Sequence, residues 1–495
     1  MALGEFHSSN ADVFKRNILS KADSVANDWV SINYALKQAG GSASQDTASA
    51  RQGIISSAGS TAKSGPWTVV DKGSVSPPSG NPQDYLSWAP YHWPACNWCT
   101  KGTTHLSNPA WTTCPYEVRD GKVNPDVSTL PDSPAVVHMT ESVLYNSLAY
   151  VMQKTGSYSK NAASFIDAFF LSPSTGMRPN MNFGQMVRGP GQDHQIGTFT
   201  GVLDLRFLVK VVNSVQLLKA AGSPDWTSAR DQALTSWMNQ YSSWLQTSDL
   251  GKQVASKANN HYTFYVNQLA AAKMYVGDTK GATAALQSYF SNQYLDQIAA
   301  SGEQPFEAVR TRPYHYRCFN LEAMITNAKL GDQLGTNFWS AKSKYGATIQ
   351  TALDYTMGLD PKGEDVSDIF PHVAAVAAAY GDPSGKYAAF LQKQVSSYKS
   401  MPFWFYDQTS ALPNSPAAHS TQKRAGMDKA FAAAEDIKEM MVNTVLKASQ
   451  IPFECPAVFT LGPETELDDG IFVTCKQVEP FYEIQIPLNS SAIAM

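Results

Sequence analysis

The main feature of the chain is a long helical pattern, which extends from about residue 136 to residue 449. Within it, apolar residues recur at positions i, i+3, i+4 and i+7, the spacing of one buried face of an α-helix. The spacing is clearest in five segments, 141–153, 200–221, 227–247, 261–276 and 279–299. Helices often end on a left-handed residue, which favours glycine, so we predict helix ends at Gly222, Gly277, Gly331 and Gly381.

Helices of similar length joined by short turns predict antiparallel pairs that stack side by side, and in a long chain such pairs often curl into an α/α toroid or a superhelix. We therefore predict an all-α fold of antiparallel helix pairs, an incomplete α/α toroid or a superhelix, with a small β-rich C-terminal tail. The expected units are an N-terminal helical segment packing on the main domain (residues 1–65), the main helical domain (66–449) and the extension (450–495). No alternation of strands with helices is present, which disfavours a doubly wound sheet.

Two regions lack the helical pattern. Prolines are frequent between residues 66 and 135, which argues against long helices there. In the tail, residues 470–475 and 481–486 read as strands, and a disulfide bond between Cys455 and Cys475 could join them.

Composition narrows the functional classes. The hydrophobic fraction of 43% and the aromatic fraction of 11% are ample for a large core and argue against a disordered chain. The net charge of −4 disfavours a nucleic-acid partner. No apolar run is long enough to span a membrane. Low charge with many polar and aromatic residues is typical of extracellular carbohydrate-active proteins, so we expect a secreted protein whose signal peptide has been removed.

Six cysteines suit disulfide bonding, and their pairing cannot be read from sequence. They are Cys96, Cys99, Cys114, Cys318, Cys455 and Cys475. The Cys96-x-x-Cys99 pair has His92, His105 and Cys114 nearby, but the second half of a typical zinc pattern is missing. Disulfide bonding is the favoured interpretation, and we predict no metal site.

Two short segments concentrate chemistry-bearing side chains. Residues 310–317 (RTRPYHYR) hold three arginines, a histidine and two tyrosines, as anion or sugar sites do, although a solvated charged face would look similar. Residues 257–265 (KANNHYTFY) place two amides and His261 at a predicted helix start, where helix capping and a structural histidine are the plain alternative.

Two loops could add sugar contacts. Residues 84–94 (DYLSWAPYHWP) carry aromatic rings that could stack on sugars or belong to the core. The region from 178 to 197 holds a cluster of amides with His194, a composition that ordinary inter-helix loops share.

With these residues in view, the chain resembles the alginate-lyase-like polysaccharide lyases, which include glucuronan lyases. The matching phrases follow the family order over roughly residues 66–445. They are 84–94, 115–125 (PYEVRDGKVNP), 259–261 (NNH), and 310–316 leading into 319–323 (FNLEA). Tyr262 replaces a small residue of the family pattern, and His92 replaces an aromatic one. The family fold is an α/α toroid.

The resemblance implies β-elimination in a polyuronate without a metal or redox cofactor. Asn260 and Arg312, with Arg310 as the alternative, would neutralise the substrate carboxylate. His261 would be the base or share in neutralisation. Tyr316 would be the acid, and the neighbouring arginines could lower its pKa enough for it to act as base too.

The partner implied is an acidic polysaccharide, and a monomer is favoured. The expected substrate-binding residues are Arg310, His315, Tyr314, Arg317, Lys257, Asn259, Tyr265, Trp88, Tyr91, His92, Trp93, Asn182, Gln185 and His194.

Two other functions stay open at this point. An inverting glycoside hydrolase on a similar toroid would need two carboxyl groups flanking the scissile bond. Its candidate carboxyl groups are those of Asp84, Glu117, Asp193 and Glu307. A polysaccharide-binding protein without activity would explain the aromatic residues, but not the ordered Asn-His and Arg-Tyr phrases.

Overall fold

Helices dominate the computed structural model, which describes residues 29–39, 44–95, 114–190, 192–425 and 452–483. The α-helices are Ile32–Ala39, Ala48–Thr61, Asp132–Gln153, Gly156–Ile166, Leu208–Ala220, Ser228–Thr247, Asp249–Ala255, Asn260–Tyr275, Thr279–Ser291, Gln293–Gln297, Pro305–Ala308, Pro313–Gln333, Ile349–Met357, Phe370–Tyr380, Lys386–Gln394, Pro402–Tyr406, Pro416–Ala425 and Cys475–Tyr482. The strands are β1 (Leu86–Trp88), β2 (His92–Pro94), β3 (Tyr116–Val118), β4 (Phe183–Met186), β5 (Glu464–Asp468) and β6 (Ile471–Thr474).

The periodic segments are helical as predicted, with two refinements. Residues 200–221 begin as the 3-10 helix Phe199–Leu205 before the α-helix Leu208–Ala220. Residues 279–299 form two helices, because Asn292 between them has a non-helical backbone (φ −130°, ψ −91°).

The glycine signals were mostly right. Gly222, Gly277 and Gly381 have φ values of 70°, 84° and 86° and lie just beyond helix ends. The predicted end at Gly331 is wrong, since that helix continues to Gln333. A glycine stands at this position inside the helix because the ring of Phe338 packs where a side chain of residue 331 would lie.

Consecutive helices pack against each other around one apolar core and form the α/α toroid that was predicted. Helix Asp132–Gln153 contacts Gly156–Ile166 and Leu208–Ala220. We call Asn260–Tyr275 the His261 helix and Pro313–Gln333 the Tyr316 helix, and these two also pack together. None of the described helices is long and apolar enough to cross a membrane.

The described part of the N-terminal segment lies on the toroid. Helices Ile32–Ala39 and Ala48–Thr61 both contact helix Asp132–Gln153. The second of them buries Ala50, Ile54 and Ala58, which are spaced four residues apart and therefore share one face.

Short strands arrange the loops near the helix ends. β1 pairs in parallel with β4, and β2 pairs antiparallel with β3, with His92 opposite Val118. This second pairing brings the aromatic loop of residues 84–94 beside the turn that follows β3.

The tail forms a β-hairpin and a helix. β5 and β6 pair antiparallel as the C-terminal hairpin (Glu464–Thr474), and a Cys455–Cys475 disulfide, the pairing considered for this tail, closes the unit. The predicted strand over 481–486 is wrong for Phe481 and Tyr482, which end helix Cys475–Tyr482. A capping box formed by Thr474 and Gln477 starts that helix directly after β6.

An apolar cluster seats this unit on the toroid. It joins Leu467 and Val473 of the hairpin and Val478 of the following helix to Phe306 and Ala258, which precede the Tyr316 and His261 helices. The hairpin therefore lies beside the starts of both helices.

The cysteines do not all pair. Cys318 is a buried free thiol, so the even count does not translate into three bonds. Cys114 is disulfide-bonded, whereas Cys96 and Cys99 lie outside the described residues.

Candidate active site

The His261 helix begins with two asparagines that fix the histidine. Asn259 is the N-cap with extended backbone, and its amide nitrogen donates to the Leu467 carbonyl at 2.9 Å. Its Oδ1 lies 3.2 Å from Nδ1 of His261, so Nδ1 carries the proton and donates. Nε2 of His261 is left with a free lone pair.

The environment of His261 keeps the ring neutral. The side chain is 2% exposed, and its ring meets that of Phe199 at 5.3 Å. Nε2 has no hydrogen bond among the described residues and lies 3.7 Å from Oδ1 of Asp468. Burial lowers the pKa of His261 to about 4, although the Asp468 carboxylate opposes the shift. A neutral imidazole with a free Nε2 can accept a proton.

Asn260 is oriented by a buried carboxyl group. Its backbone N–H donates to Oε1 of Glu307 at 2.9 Å, and its side-chain Nδ2 donates to Oε2 at 2.7 Å. Burial raises the pKa of Glu307 to about 7, against the two hydrogen bonds from Asn260. The Oδ1 atom of Asn260 has no partner in the described part of the chain.

The Tyr316 hydroxyl meets a second tyrosine and an arginine. It lies 2.6 Å from the hydroxyl of Tyr91 and accepts a hydrogen bond from Nη2 of Arg310 at 2.9 Å. Burial raises the pKa of Tyr316 well above its usual value, although the Arg310 guanidinium opposes the shift. The expectation of a lowered pKa is therefore wrong, because desolvation of the phenolate outweighs the nearby positive charge. The resting phenol is protonated.

Arg310 lies at the centre of the cluster. Its Nη2 is 2.8 Å from Oδ1 of Asp120 and 2.9 Å from Oδ2 of Asp468, and its side chain is 1% exposed. Burial alone would lower the pKa of Arg310, but the carboxylates of Asp468 and Asp120 hold it above its usual value. Nη1 has no hydrogen-bond partner among the residues described.

The structure brings Arg310, and not Arg312, to Tyr316. Arg312 is the N-cap residue of the Tyr316 helix and is partly exposed, with its stem against Gly121. Within the described ranges it makes no ion pair, whereas Arg310 contacts the Tyr316 hydroxyl directly.

Four of the predicted substrate-binding residues on these two helices are paired or packed within the protein. Nδ1 of His315 pairs with Asp368 at 2.9 Å, and Arg317 makes a two-pronged contact with Glu303 at 2.6 and 2.7 Å. Tyr314 and Tyr265 are buried in the apolar core. Only the ring of His315 touches the site, edge-on against Tyr316 at 5.3 Å.

The aromatic loop divides between site and core. Tyr91 reaches the Tyr316 hydroxyl, and Nε2 of His92 lies 3.1 Å from Oδ2 of Asp469. Trp88 is buried under the Arg188 guanidinium. Trp93 donates from Nε1 to the Lys122 carbonyl, with Arg119 over its ring.

An open cavity of about 800 Å³ lies at the tip of the C-terminal hairpin. His92, Asn182 and His194 line it together with Asp469, the residue after Asp468. Gln185 does not line it and instead donates to Asp204 at 2.7 Å. The structure thus gathers three predicted binding residues around this cavity, whereas Arg310, Tyr316 and His261 do not line it.

Comparisons with known proteins identify the relatives of this architecture. A family model described as alginate lyase matches residues 68–360, more than half of the chain. The chain belongs to the alginate lyase family. It is therefore a polysaccharide lyase.

A solved structure with a TM-score above 0.5 supports the fold of the lyase. An alginate lyase from Bacteroides ovatus is 24% identical with a TM-score of 0.66, covering 78% of this chain and all of its own. Alginate lyase A1-III from Sphingomonas species A1 is 15% identical with a TM-score of 0.42, covering 68% and 89%. No curated protein matches.

Three of the four carboxyl groups considered for a hydrolase have protein partners. Asp84 is buried and pairs with Arg178, and the exposed Glu117 pairs with Arg119. Glu307 accepts both hydrogen bonds of Asn260. Nothing is described of the Asp193 side chain.

Sequence reasoning missed the acidic residues that the C-terminal hairpin contributes to the lyase site. Glu466 pairs with Lys257 at 2.8 Å, Asp468 pairs with Arg310, and Asp469 pairs with His92. Four acids within residues 464–469, followed by a glycine turn, are unusual in a chain with only 16% charged residues. That density was the available signal, and it lies outside the family-matched residues.

Proposed function

We propose that this lyase cleaves 1,4-linked polyuronates, alginate or glucuronan, by β-elimination and leaves a C4–C5 unsaturated uronate at the new non-reducing end. One observation carries the proposal. The Arg310 guanidinium, the Tyr316 phenol and the free Nε2 of His261 converge around a single position that holds a carboxylate.

Arg310 and Asn260 supply the electrostatic part of the mechanism. The C5 proton of a uronate is a weak acid, because its removal loads further negative charge onto the neighbouring carboxylate. Fixed donors aimed at that developing charge lower the barrier. The Arg310 guanidinium offers forked donors, and the Asn260 amide keeps a second hydrogen beyond the one donated to Glu307.

His261 and Tyr316 supply the proton transfers. The neutral His261 ring accepts the C5 proton at Nε2, and the released electron pair forms the C4–C5 double bond. The C4–O bond then breaks, and the Tyr316 hydroxyl protonates the departing oxygen. The raised pKa of Tyr316 supports the acid role, because the phenol is protonated before the reaction.

A substrate panel tests the proposal. Polymannuronate, polyguluronate and glucuronan are incubated separately with the protein, and the ultraviolet absorbance of the unsaturated product is followed. A rise with at least one polymer is expected, at a rate about 10³-fold lower with Tyr316→Phe. In mannuronate and glucuronate the C5 proton and the leaving oxygen lie on one sugar face, whereas in guluronate they lie on opposite faces. The responding polymer therefore reports the arrangement of base and acid.

Two other results would contradict the proposal. New reducing ends without absorbance would indicate hydrolysis. Binding without either signal would indicate a polysaccharide-binding protein.

Secretion is the setting that this function requires, because such polymers are extracellular. The Cys455–Cys475 disulfide supports that location, since disulfides persist in oxidising compartments.

A further inference from the structure

Acidic residues at the tip of the C-terminal hairpin pair with basic side chains of the candidate active site. Glu466 lies 2.8 Å from Nζ of Lys257, and Asp469 lies 3.1 Å from Nε2 of His92. Between them, Asp468 reaches Arg310 at 2.9 Å. Three carboxylates within residues 466–469 therefore pair with three cationic or ionisable side chains of the candidate active site, as the carboxylates of a polyuronate would.

Asp468 fills the position that a substrate carboxylate needs. Its Oδ2 accepts from Arg310, and its Oδ1 accepts from the Thr200 hydroxyl at 2.7 Å and lies 3.7 Å from Nε2 of His261. The residue is 5% exposed. Two carboxylates cannot share this position, because like charges at such a distance repel strongly in a buried site.

The geometry distinguishes a competitor from a helper of His261. A carboxylate that orients a catalytic histidine receives its N–H, but Nδ1 of His261 already donates to Asn259. Asp468 instead faces Nε2, the atom that must accept the C5 proton. It also takes the Nη2 donor of Arg310 that would bind the substrate.

The hairpin is held where it can compete effectively. Leu467 and Val473 pack into the apolar cluster on the toroid, and Cys475 ties the end of β6 to Cys455. At the turn, Gly470 has φ 73° and lies against Val118 of β3. A group attached to its own target acts at a high effective concentration, so even a modest intrinsic affinity suffices.

We propose that the C-terminal hairpin is an internal competitor of the polyuronate, with Asp468 occupying the position of the substrate carboxylate. Asp468 must leave Arg310 before a uronate can bring its C5 to His261 and Tyr316. The inference rests on the proposed function, and it assigns regulation to a unit that lies outside the family-matched residues 68–360.

The test is Asp468→Asn, which keeps the side-chain shape and removes the charge. The expected result is a rise of about tenfold or more in kcat/KM for the responding polyuronate, mainly through a lower KM. The matched control is Glu464→Gln, on the same strand, exposed and without an ion pair among the described residues. It should leave kcat/KM unchanged.

An unchanged or lower kcat/KM in Asp468→Asn, with wild-type turnover intact, overturns the competitor role and leaves the proposed function standing. If Asp468→Asn forms product and the wild type does not, both the competitor role and the proposed function are supported. If neither protein forms product, the proposed function fails. Calorimetric binding of mannuronate and guluronate oligomers then decides the competitor role, with tighter binding by Asp468→Asn supporting it and equal binding overturning it. Thermal melting by circular dichroism verifies that each variant is folded.

Discussion

Two buried polar clusters lie along the same pair of helices, and they differ in how fully they are hydrogen-bonded. In the helix interiors, Asn267 donates to Oδ1 of Asn327 at 2.6 Å, and Asn327 donates to the Thr263 carbonyl at 3.1 Å. At the starts of the helices and in the loop before the Tyr316 helix, three buried atoms have no hydrogen bond among the described residues. They are Oδ1 of Asn260, Nε2 of His261 and Nη1 of Arg310.

The difference separates what the fold needs from what the reaction needs. An unpaired buried polar atom costs about 1–3 kcal/mol, so folds normally pair such atoms. The interior asparagines are paired about two to three turns beyond the site, although Oγ1 of Thr326 beside them has no hydrogen bond among the described residues. The unpaired atoms beside Tyr316 differ in lying together at the candidate active site, which is why we propose that their partner is the substrate.

The largest expected effect is the loss of the Tyr316 hydroxyl. Tyr316→Phe should lower kcat by about 10³-fold, because the leaving oxygen loses its proton donor. Binding of the polymer, measured by calorimetry, should persist because only one hydroxyl is removed. Tyr398→Phe is the control, since Tyr398 is also buried but lies outside the cluster. Turnover close to wild type in Tyr316→Phe would remove Tyr316 from the mechanism.

A second comparison sharpens the choice between two arginines. Arg310→Lys should lower kcat/KM by about 100-fold, because lysine keeps the charge but loses the forked donors. Arg312→Lys should lower it by less than about tenfold, since Arg312 does not contact Tyr316. Steady-state kinetics on the responding polymer measures both. A larger loss in Arg312→Lys would restore the assignment made from spacing.

The third effect is on stability and depends on pH. The pKa of His261 falls from 6.5 to about 4 on folding. Between these two pKa values His261 is protonated in the unfolded chain but neutral in the folded protein. The free energy of unfolding therefore rises with pH over this range. The contribution, about 3 kcal/mol, is present above about pH 6.5 and is lost as the pH falls to about 4.

Urea unfolding across that pH range measures this effect. His261→Gln should flatten the pH dependence, whereas His419→Gln, at an exposed histidine, should not. Equal slopes in the wild type and His261→Gln would contradict the neutral buried state of His261.

The smallest expected effect tests the paired cluster. Asn327→Leu removes the acceptor of one of the two Asn267 hydrogen bonds and the donor to the Thr263 carbonyl, and it should lower the free energy of unfolding by about 2 kcal/mol. The kcat/KM at 25 °C should stay unchanged, because neither asparagine reaches the site. A loss of rate comparable to that of Arg310→Lys would erase the distinction between the two clusters.

The apolar spacing predicted the stacked helix pairs, because it is local and repeats along most of the chain, and the family resemblance favoured the toroid over a superhelix. The sequence also indicated the segments around His261 and Tyr316, because several ionisable and hydrogen-bonding side chains lie within a few residues of each other there. It could not choose between Arg310 and Arg312. Arg312 has a non-helical backbone (φ −121°, ψ 67°), so no regular period gives the direction of either side chain.

The hairpin was beyond sequence reasoning for another reason. Arg310 and Asp468 are 158 positions apart, and no local pattern marks a contact over such a distance. Residues 481–486 were predicted to form a strand because apolar and polar residues alternate there. The capping box at Thr474 instead starts a helix that includes Phe481. A cap is a local signal, and it was available in the sequence.

The ion pair between Arg310 and Asp468 also couples cleft occupancy to the stability of the tail. Linkage is reciprocal. If the docked hairpin weakens the binding of a polyanion to Arg310 by a given free energy, binding of that polyanion destabilises the docked hairpin by the same free energy. Amide hydrogen exchange in β5 and β6 would then speed up as oligouronate is added. The tail would thus report ligand binding even in a Tyr316→Phe protein, whose turnover is about 10³-fold slower.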